Sequence, residues 1–535
     1  MQIKEKEYMN MDIIDKHIVA IDLGTSKIAI TVAKVNGNDV QIIYYKETAS
    51  AGIRYSSVFN VKQVTDVLQR AIMNAEGELG IKITQAVVGM PKYPVRQETS
   101  NGEIRDRGED TDITSEDIAF LKSLAEDSYP LKDPDKEAIY GAVAQSFSDG
   151  ENFQIIENDI IGMTSDVLEG NFKIFIGKRS DLRRIDQVMS KAGITGTKKY
   201  FTADTTAKAV LTPYEMENGV ALVDFGAGCT SVAIYQDNIM RHYASIPFGG
   251  RNITEDIKSE SQITERLAEN IKLGFGACMP EKLQSMGEKI LHIRSNSTEP
   301  DMKLPVKYLS EIITARVEEI MMAILYEIHD SGFADSLRSG IVITGGCAQM
   351  ANLGNFIYDI SGYRVRTGYA RNHFSHSGCD GLNETSATTS LGLLLAAKDD
   401  MGNCAHGDET EVVETPKEND PFDFLNETPL HAQETEAAYE EIQQETAEET
   451  AEDTTEEPFH EPVHEDMVTS EDNRSEDEPQ QPEVRESHKS TGTQTDKAEK
   501  KKNRWEKLRI IWTKVTEGAD SIYNNVNQDI DNENE

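Results

Sequence analysis

The hydrophobic pattern divides the chain at about residue 400. Before it, short continuous apolar runs (Ile18–Ile21, Ala86–Val88, Val220–Val223, Ile341–Ile343) are each bounded by glycine or charged residues. Runs of this length and β-branched content read as buried strands. Alternating positions follow two of them, Ile28, Ile30, Val32 and Val232, Ile234, and read as half-buried partner strands. Between the strands, apolar residues recur at helical spacing. Val64, Val67, Leu68, Ala71, Ile72 and Ala75 predict a helix over 63–79. A long amphipathic helix is predicted over 307–330 and a terminal core helix over 388–397. Strands alternating with helices predict an α/β fold. Residues 85–175 break the rhythm: a strand, a Pro91-Lys92-Tyr93-Pro94 turn, a charged loop, a helix capped by Thr114 or Ser115, and renewed strand character at 173–177. They are expected to be a small α+β insertion.

After residue 400 the chain turns to Glu, Thr, Gln and Pro with few large apolar residues. Such a segment cannot offset the entropy of ordering, so residues 401–499 are expected to be a disordered linker. Helical spacing then returns. Trp505, Leu508, Ile511, Trp512 and Val515 share one face over 500–516, with Lys501, Lys502, Arg504, Lys507, Arg509 and Lys514 largely around it. A basic amphipathic helix with tryptophan at its boundary fits an anionic membrane surface. A helix docked on the core, or a target helix for another protein, are the alternatives. Residues 517–535 form an acidic tail, and residues 1–16 read as a flexible leader with Met11 as a second candidate start.

Charge follows the same division. The net charge is −40, but residues 401–500 hold about 31 acidic against about 6 basic residues. The part before residue 400 is only moderately acidic and has no basic stripe, which speaks against nucleic-acid binding. Five cysteines without a CxxC spacing read as reduced thiols of a cytoplasmic protein. No stretch approaches the ~20 apolar residues of a membrane span.

The candidate chemistry lies in two glycine-rich turns. Asp22-Leu23-Gly24-Thr25-Ser26-Lys27 and Asp224-Phe225-Gly226-Ala227-Gly228-Cys229-Thr230 each place a carboxylate at the end of a strand, then small residues, then hydroxyls. Glycine lets backbone N–H groups close around an anion. Thr25, Ser26 and Thr230 add hydroxyl donors and Lys27 a positive charge. A carboxylate beside a phosphate requires a cation between them, so Asp22 and Asp224 imply Mg²⁺, expected to be held through water because such ions often keep their waters. Two unrelated hairpin turns are the plain alternative. A third glycine turn, Gly345-Gly346 after the strand Ile341–Thr344, argues against that alternative. A fourth, Gly249-Gly250, enters a helix whose N-terminus suits a nucleotide. Glu269 and Lys272 fall on one helical face, as a solvated ion pair or as nucleotide contacts.

The order of these turns resembles the phosphate and adenosine motifs of the actin, chaperone and sugar-kinase superfamily. More narrowly, the chain is similar to the bacterial cell-division family FtsA. The likeness spans residues 17–400 and rests on Ile18–Lys27, Ile246-Pro247-Phe248-Gly249-Gly250 with Ile253–Ile257, Ala268-Glu269-x-x-Lys272 and Gly340–Gln349. The insertion resembles that family's relocated subdomain. The resemblance implies an actin-like two-lobed ATPase fold, with one lobe at 17–204, a second at 205–400 and a smaller subdomain near 258–338. It also implies ATP and Mg²⁺, self-association into filaments, and contact with later division proteins. The tail of the tubulin-like FtsZ would bind the smaller subdomain, where Arg316 is either a partner contact or an ordinary exposed arginine. The place implied is the cytoplasmic face of the membrane at the division site, with the protein tethering the FtsZ ring.

The chain departs from the family pattern twice. Cys229 stands where a threonine is usual. Thr202 stands where strongly hydrolysing relatives carry Gln or Glu, and Asp204 is a weak substitute, so at most slow ATP hydrolysis is expected. A pilus-assembly relative and a superfamily kinase are the alternatives. The kinase would need a substrate base that the sequence does not offer.

Overall fold

The computed structural model describes residues 16–106, 111–293, 302–371, 374–376 and 378–407. The leader before residue 16, the linker from residue 408 and the amphipathic segment at 500–516 lie outside them.

The chain builds one sheet plan twice. In the first lobe, β1 (Lys16–Leu23), β2 (Lys27–Asn36) and β3 (Asp39–Ala49) form an antiparallel meander in which Ile21 lies opposite Ile30 and Asp22 opposite Ala29. Helix α1 (Val61–Leu79) starts on Asn60, whose side chain accepts from the Gln63 N–H, and stops at Gly80 with φ +63°. Strand β4 (Gln85–Gly89) then lies parallel to β1, Ala20 beside Val87.

Next comes the insertion: β5 (Arg96–Ile104), α2 (Ser115–Ser128), β6 (Glu137–Ser148) and β7 (Leu168–Lys178). Its sheet runs β5-β7-β6 and is covered by α2. Thr114 and Asp117 form a reciprocal capping box on α2.

The chain returns through α3 (Arg179–Lys191) to β8 (Gly196–Tyr200), parallel to β4, and crosses by α4 (Thr202–Val210). The second lobe repeats the meander with β9 (Val220–Phe225), β10 (Thr230–Gln236) and β11 (Ile239–Ile246). Asp224 lies opposite Ser231. Helices α5 (Gly250–Ser261), α6 (Glu265–Phe275) and α7 (Val306–Asp330) pack on it. Strand β12 (Ile341–Thr344) lies parallel to β9; α8 (Leu353–Ser361) and β13 (Val365–Thr367) follow, and α9 (Thr388–Ala397) comes last. The first sheet reads β8-β4-β1-β2-β3 with Ser375–His376 beside β3; the second reads β11-β10-β9-β12-β13. This is the expected two-lobed plan.

Three boundaries differ from the sequence reading. The insertion starts after β4, since Ala86, Val87 and Val88 are fully buried as an interior strand of the first lobe's sheet. The second lobe does not run to residue 400: Leu391, Leu393, Leu394 and Ala397 of α9 are apolar around the helix and belong to the first lobe's core. Nor does the linker begin at 401. Cys404 is buried, its N–H donates to the His17 carbonyl at 2.7 Å, and Ala405–Gly407 pairs with Ile81–Ile83.

The insertion also reaches the second lobe. The Gln97 amide lies 2.8 Å from His242 Nδ1, and its carbonyl accepts from the Tyr243 N–H at 3.0 Å. Gln145 donates to the Met240 carbonyl at 2.9 Å. Phe175 stacks on Phe201 at 4.4 Å between centroids, with Tyr243 edge-on to both.

Helices α4 and α9 cross between the lobes at Gly392, where an added Cβ would lie 2.6 Å from the Thr205 carbonyl oxygen. Gly392→Ala is therefore expected to destabilise by about 1–3 kcal/mol, despite alanine's better helix propensity, because backbone must move. Gly77→Ala, in open space on α1, is expected to gain about 0.5–1 kcal/mol. Urea unfolding of the two variants reads the opposite signs.

Candidate functional site

The turns after β1 and β9 face each other. A Cβ on Gly228 would lie 2.5 Å from Thr25 Oγ1, so the two loops approach closely only because that position is glycine. The second turn is built into its neighbours: the Gly250 N–H donates to the Gly226 carbonyl at 3.0 Å and the Arg251 N–H to the Ala227 carbonyl at 2.8 Å. A Cβ on Gly249 would strike Gly226 O at 2.5 Å, and one on Gly345, which has φ +87°, would strike Asp224 Oδ1 at 2.5 Å. Gly346 has open space beside it. Strand β1 with β4, and β9 with β12, end at the same edge, where α/β sheets bind ligands. Asp22, Gly24, Thr25, Asp224, Gly226, Gly228, Gly249 and Gly345 thus belong to one cleft.

Several expected donors have other partners. Thr230 is fully buried and its hydroxyl donates to the Phe248 carbonyl at 2.8 Å, so it shapes the 248–250 turn instead of facing a ligand. The Lys27 ammonium pairs with Glu47 of β3, which also accepts from the Tyr45 hydroxyl, so its charge is already matched within the first lobe. Thr25 Oγ1 accepts from the Ser56 N–H at 3.1 Å. Ser26 is exposed.

Glu269 and Lys272 do form the ion pair, at 2.7 Å, and it is more than a solvated one. Lys272 also donates to the Gly250 carbonyl at 3.0 Å and to Thr254 Oγ1 at 2.8 Å, and Thr254 donates to Glu269. The group ties α6 to the first turn of α5. Arg316 grips Asp256 of α5 with two nitrogens, at 2.5 and 2.9 Å, and pairs with Glu319 at 2.6 Å. Its fork is already filled by carboxylates.

Thr202 is buried and its hydroxyl donates to the Met90 carbonyl at 2.5 Å. Asp204 accepts from the Tyr235 hydroxyl at 3.2 Å and pairs with Lys208 at 2.8 Å. Cys229 is buried, which pushes its thiol up to about 12 and keeps it neutral.

The central residue of the site is one that the sequence reading left inside a turn. Lys92 lies at the root of the insertion. Its ammonium pairs with Asp224 and donates to Thr389 Oγ1 at 3.3 Å. Burial alone lowers a lysine pKa, but the charges of Asp224 and Asp22 outweigh it and push Lys92 up to about 12. Asp22 is raised, chiefly by burial, against the pull of Lys92 and Lys27. The usable signal was topological: β4 ends beside Asp22, so the lysine three residues beyond its end falls at the same edge.

A nucleotide with a divalent ion fits these residues. Glycines at 228, 249 and 345 let the turns close on one another without side chains between them, and two carboxylates on opposite lobes feel each other's charge there.

The comparisons with known proteins agree with the motifs. The family model described as "Cell division protein FtsA" matches residues 221–392. The cell division protein FtsA of Borreliella burgdorferi is 31% identical over 354 residues, covering 66% of this chain and 84% of that protein. This chain belongs to the FtsA family. FtsA of Neisseria meningitidis is 28% identical over 401 residues, 75% of this chain and 94% of its own length. FtsA of Bacillus subtilis is 25% identical over 380 residues, 71% and 83%. Among solved structures, the PilM–PilN type IV pilus biogenesis complex matches with a TM-score of 0.50 at 12% identity, covering 71% of this chain and 98% of that one. At that identity the likeness shows the actin-like fold alone.

Lys272→Met is expected to leave the Gly250 carbonyl and Glu269 without their cation and to cost about 1–3 kcal/mol in urea unfolding. A Glu269→Gln, Lys272→Met double variant is expected to recover part of that loss.

Proposed function

We propose that this FtsA-family chain is a nucleotide-dependent division adaptor that joins filaments of the tubulin-like FtsZ to the cytoplasmic membrane. The observation that carries the reading is the pairing of the Asp22 and Asp224 turns across one cleft in a chain whose sequence relatives are division proteins. Asp22 and Asp224 would hold Mg²⁺, and the N–H groups of the turns at 24–26 and 227–228 would take the phosphates, the Gly226 N–H being spent on the Cys229 carbonyl. Glu269 and Lys272 would border the nucleoside side through the Gly249-Gly250 turn, and Gly345-Gly346 would leave room for the base. Bound Mg²⁺ would supply charge neutralisation of the phosphates.

Turnover is expected to be slow. The two residues nearest the role of a water-orienting side chain, Thr202 and Asp204, are both engaged by the protein itself. ATP then acts mainly as a ligand that favours one arrangement of the lobes. The curated relatives favour division over the pilus-assembly alternative.

The membrane end of the proposal rests on the sequence of 500–516. Each basic residue adds about 1 kcal/mol at an anionic surface. Partly buried Trp, Leu, Ile and Val side chains each add less than the ~1.5–3 kcal/mol of full burial. One such helix is a reversible anchor, and self-association of the body would strengthen it by avidity. As a flexible coil, the acidic segment of about 100 residues before residue 500 would reach about 50–60 Å, and its charge would extend it and hold the body off anionic lipid. The FtsZ tail would dock on the α5–α7 side of the second lobe near Arg316, displacing or joining its carboxylate partners.

The test is flotation of the full chain with anionic liposomes and FtsZ, with and without ATP. The parent is expected to float and to carry FtsZ, most strongly with ATP. Trp512→Glu is expected to cut flotation at least tenfold. Equal flotation of Trp512→Glu and parent would reject the anchor, and floating protein that leaves FtsZ behind would reject the adaptor role.

A further inference from the structure

Residues 90–95 connect β4 to the insertion, and both lobes grip them. The Lys92 N–H donates to Ser56 Oγ at 3.2 Å from the first lobe. The Lys92 carbonyl accepts from the Tyr243 hydroxyl at 2.7 Å from the second. The Tyr93 carbonyl accepts from Ser57 Oγ at 3.2 Å. The side chain, 15% exposed, runs into the cleft and ends on Asp224, itself 8% exposed. Two like-charged carboxylates facing one cleft repel unless a cation lies with them, and a buried carboxylate left unpaired is strongly disfavoured. Here the cation is a lysine on the chain itself, placed where a nucleotide-bound divalent ion would also need to sit.

We propose that Lys92 is the resident counter-ion of the cleft, and that it exchanges Asp224 for a phosphate oxygen when a nucleotide arrives with its divalent ion. The proposal rests on the nucleotide reading above and deepens it. Before nucleotide binds, the tethered ammonium excludes a free divalent ion from Asp22 and Asp224. Afterwards Asp22 and Asp224 would hold the ion and the Lys92 ammonium would lie against a phosphate oxygen, so Asp224 has a cation beside it at either stage. The exchange also has a mechanical address. The Lys92 backbone stands at the root of β5, and Tyr243, which holds its carbonyl, neighbours the His242 and Gln97 contact between insertion and second lobe. Movement of the ammonium therefore pulls on the hydrogen bonds that seat the insertion against β11.

The first test needs no nucleotide. Mn²⁺ alone is titrated into the nucleotide-free full chain and followed by electron paramagnetic resonance. Lys92→Met and Lys92→Gln are expected to bind Mn²⁺ at least tenfold more tightly than the parent, and Lys92→Arg to stay like the parent. Equal affinity in all four proteins would overturn the counter-ion role.

The second test titrates a fluorescent ATP analogue with Mg²⁺ and with EDTA. The ratio of Kd in EDTA to Kd in Mg²⁺ is expected to rise at least tenfold in Lys92→Met, because the variant has only the metal to neutralise the phosphates. An unchanged ratio would overturn the exchange. Analogue binding by neither parent nor variant would instead reject the nucleotide reading, while the Mn²⁺ result still stands.

The third measurement uses the parent alone and is independent of how any variant folds. Amide hydrogen exchange over 90–97 is expected to change at least severalfold on adding Mg²⁺ and the analogue. No change there would overturn the link to the insertion.

Discussion

Two carboxylates set at equivalent places in two similar lobes repel across the cleft that separates them, and the closed arrangement of this chain depends on a positive charge between them. Asp22 ends β1 and Asp224 ends β9, each opposite the second strand of its own meander. Lys92 supplies that charge from the insertion. The rest of the cleft is arranged around the trio. Glycines at 226, 228, 249 and 345 allow backbones to meet where side chains would collide. Helices α5 and α6 are fastened at its rim by Lys272. Thr389 of α9 gives the Lys92 ammonium its second acceptor.

That arrangement gives the insertion a structural meaning. It is rooted in the first lobe after β4 and sewn to the edge strand β11 of the second by Gln97, Gln145 and the Phe175, Phe201 and Tyr243 cluster. Among the described residues the lobes therefore meet at the α4–α9 crossing and through the insertion as well as at the cleft. A change in the cleft can move the insertion because one residue, Lys92, belongs to both.

Much of this was legible in the sequence because backbone needs leave marks. Apolar runs ending in Asp and then Gly announced β1, β9 and their turns, and the periodicity of 63–79 and 307–330 announced α1 and α7. The cap of α2 was narrowed to Thr114 or Ser115, and the structure gives it to Thr114. What escaped notice depended on contacts distant in the chain. The return of α9 to the first lobe and the pairing of Ala405–Gly407 with Ile81–Ile83 join residues more than 300 apart. The partners of Thr230 and Lys27 lie only 18 and 20 residues away and escaped for a different reason: residue type suggested ligand donors, and packing assigned them to Phe248 and Glu47. Lys92 looked like a turn lysine between prolines, and only the parallel neighbourhood of β1 and β4 reveals its place.

The account is tested most directly by a crystal structure of the full chain with Mg²⁺ and a non-hydrolysable ATP analogue. It should show the phosphates between the turns at 24–26 and 226–228, the ion within reach of Asp22 and Asp224, and the Lys92 ammonium moved from Asp224 to a phosphate oxygen. A nucleotide seated elsewhere, or an ion bound while Lys92 still holds Asp224, would contradict it.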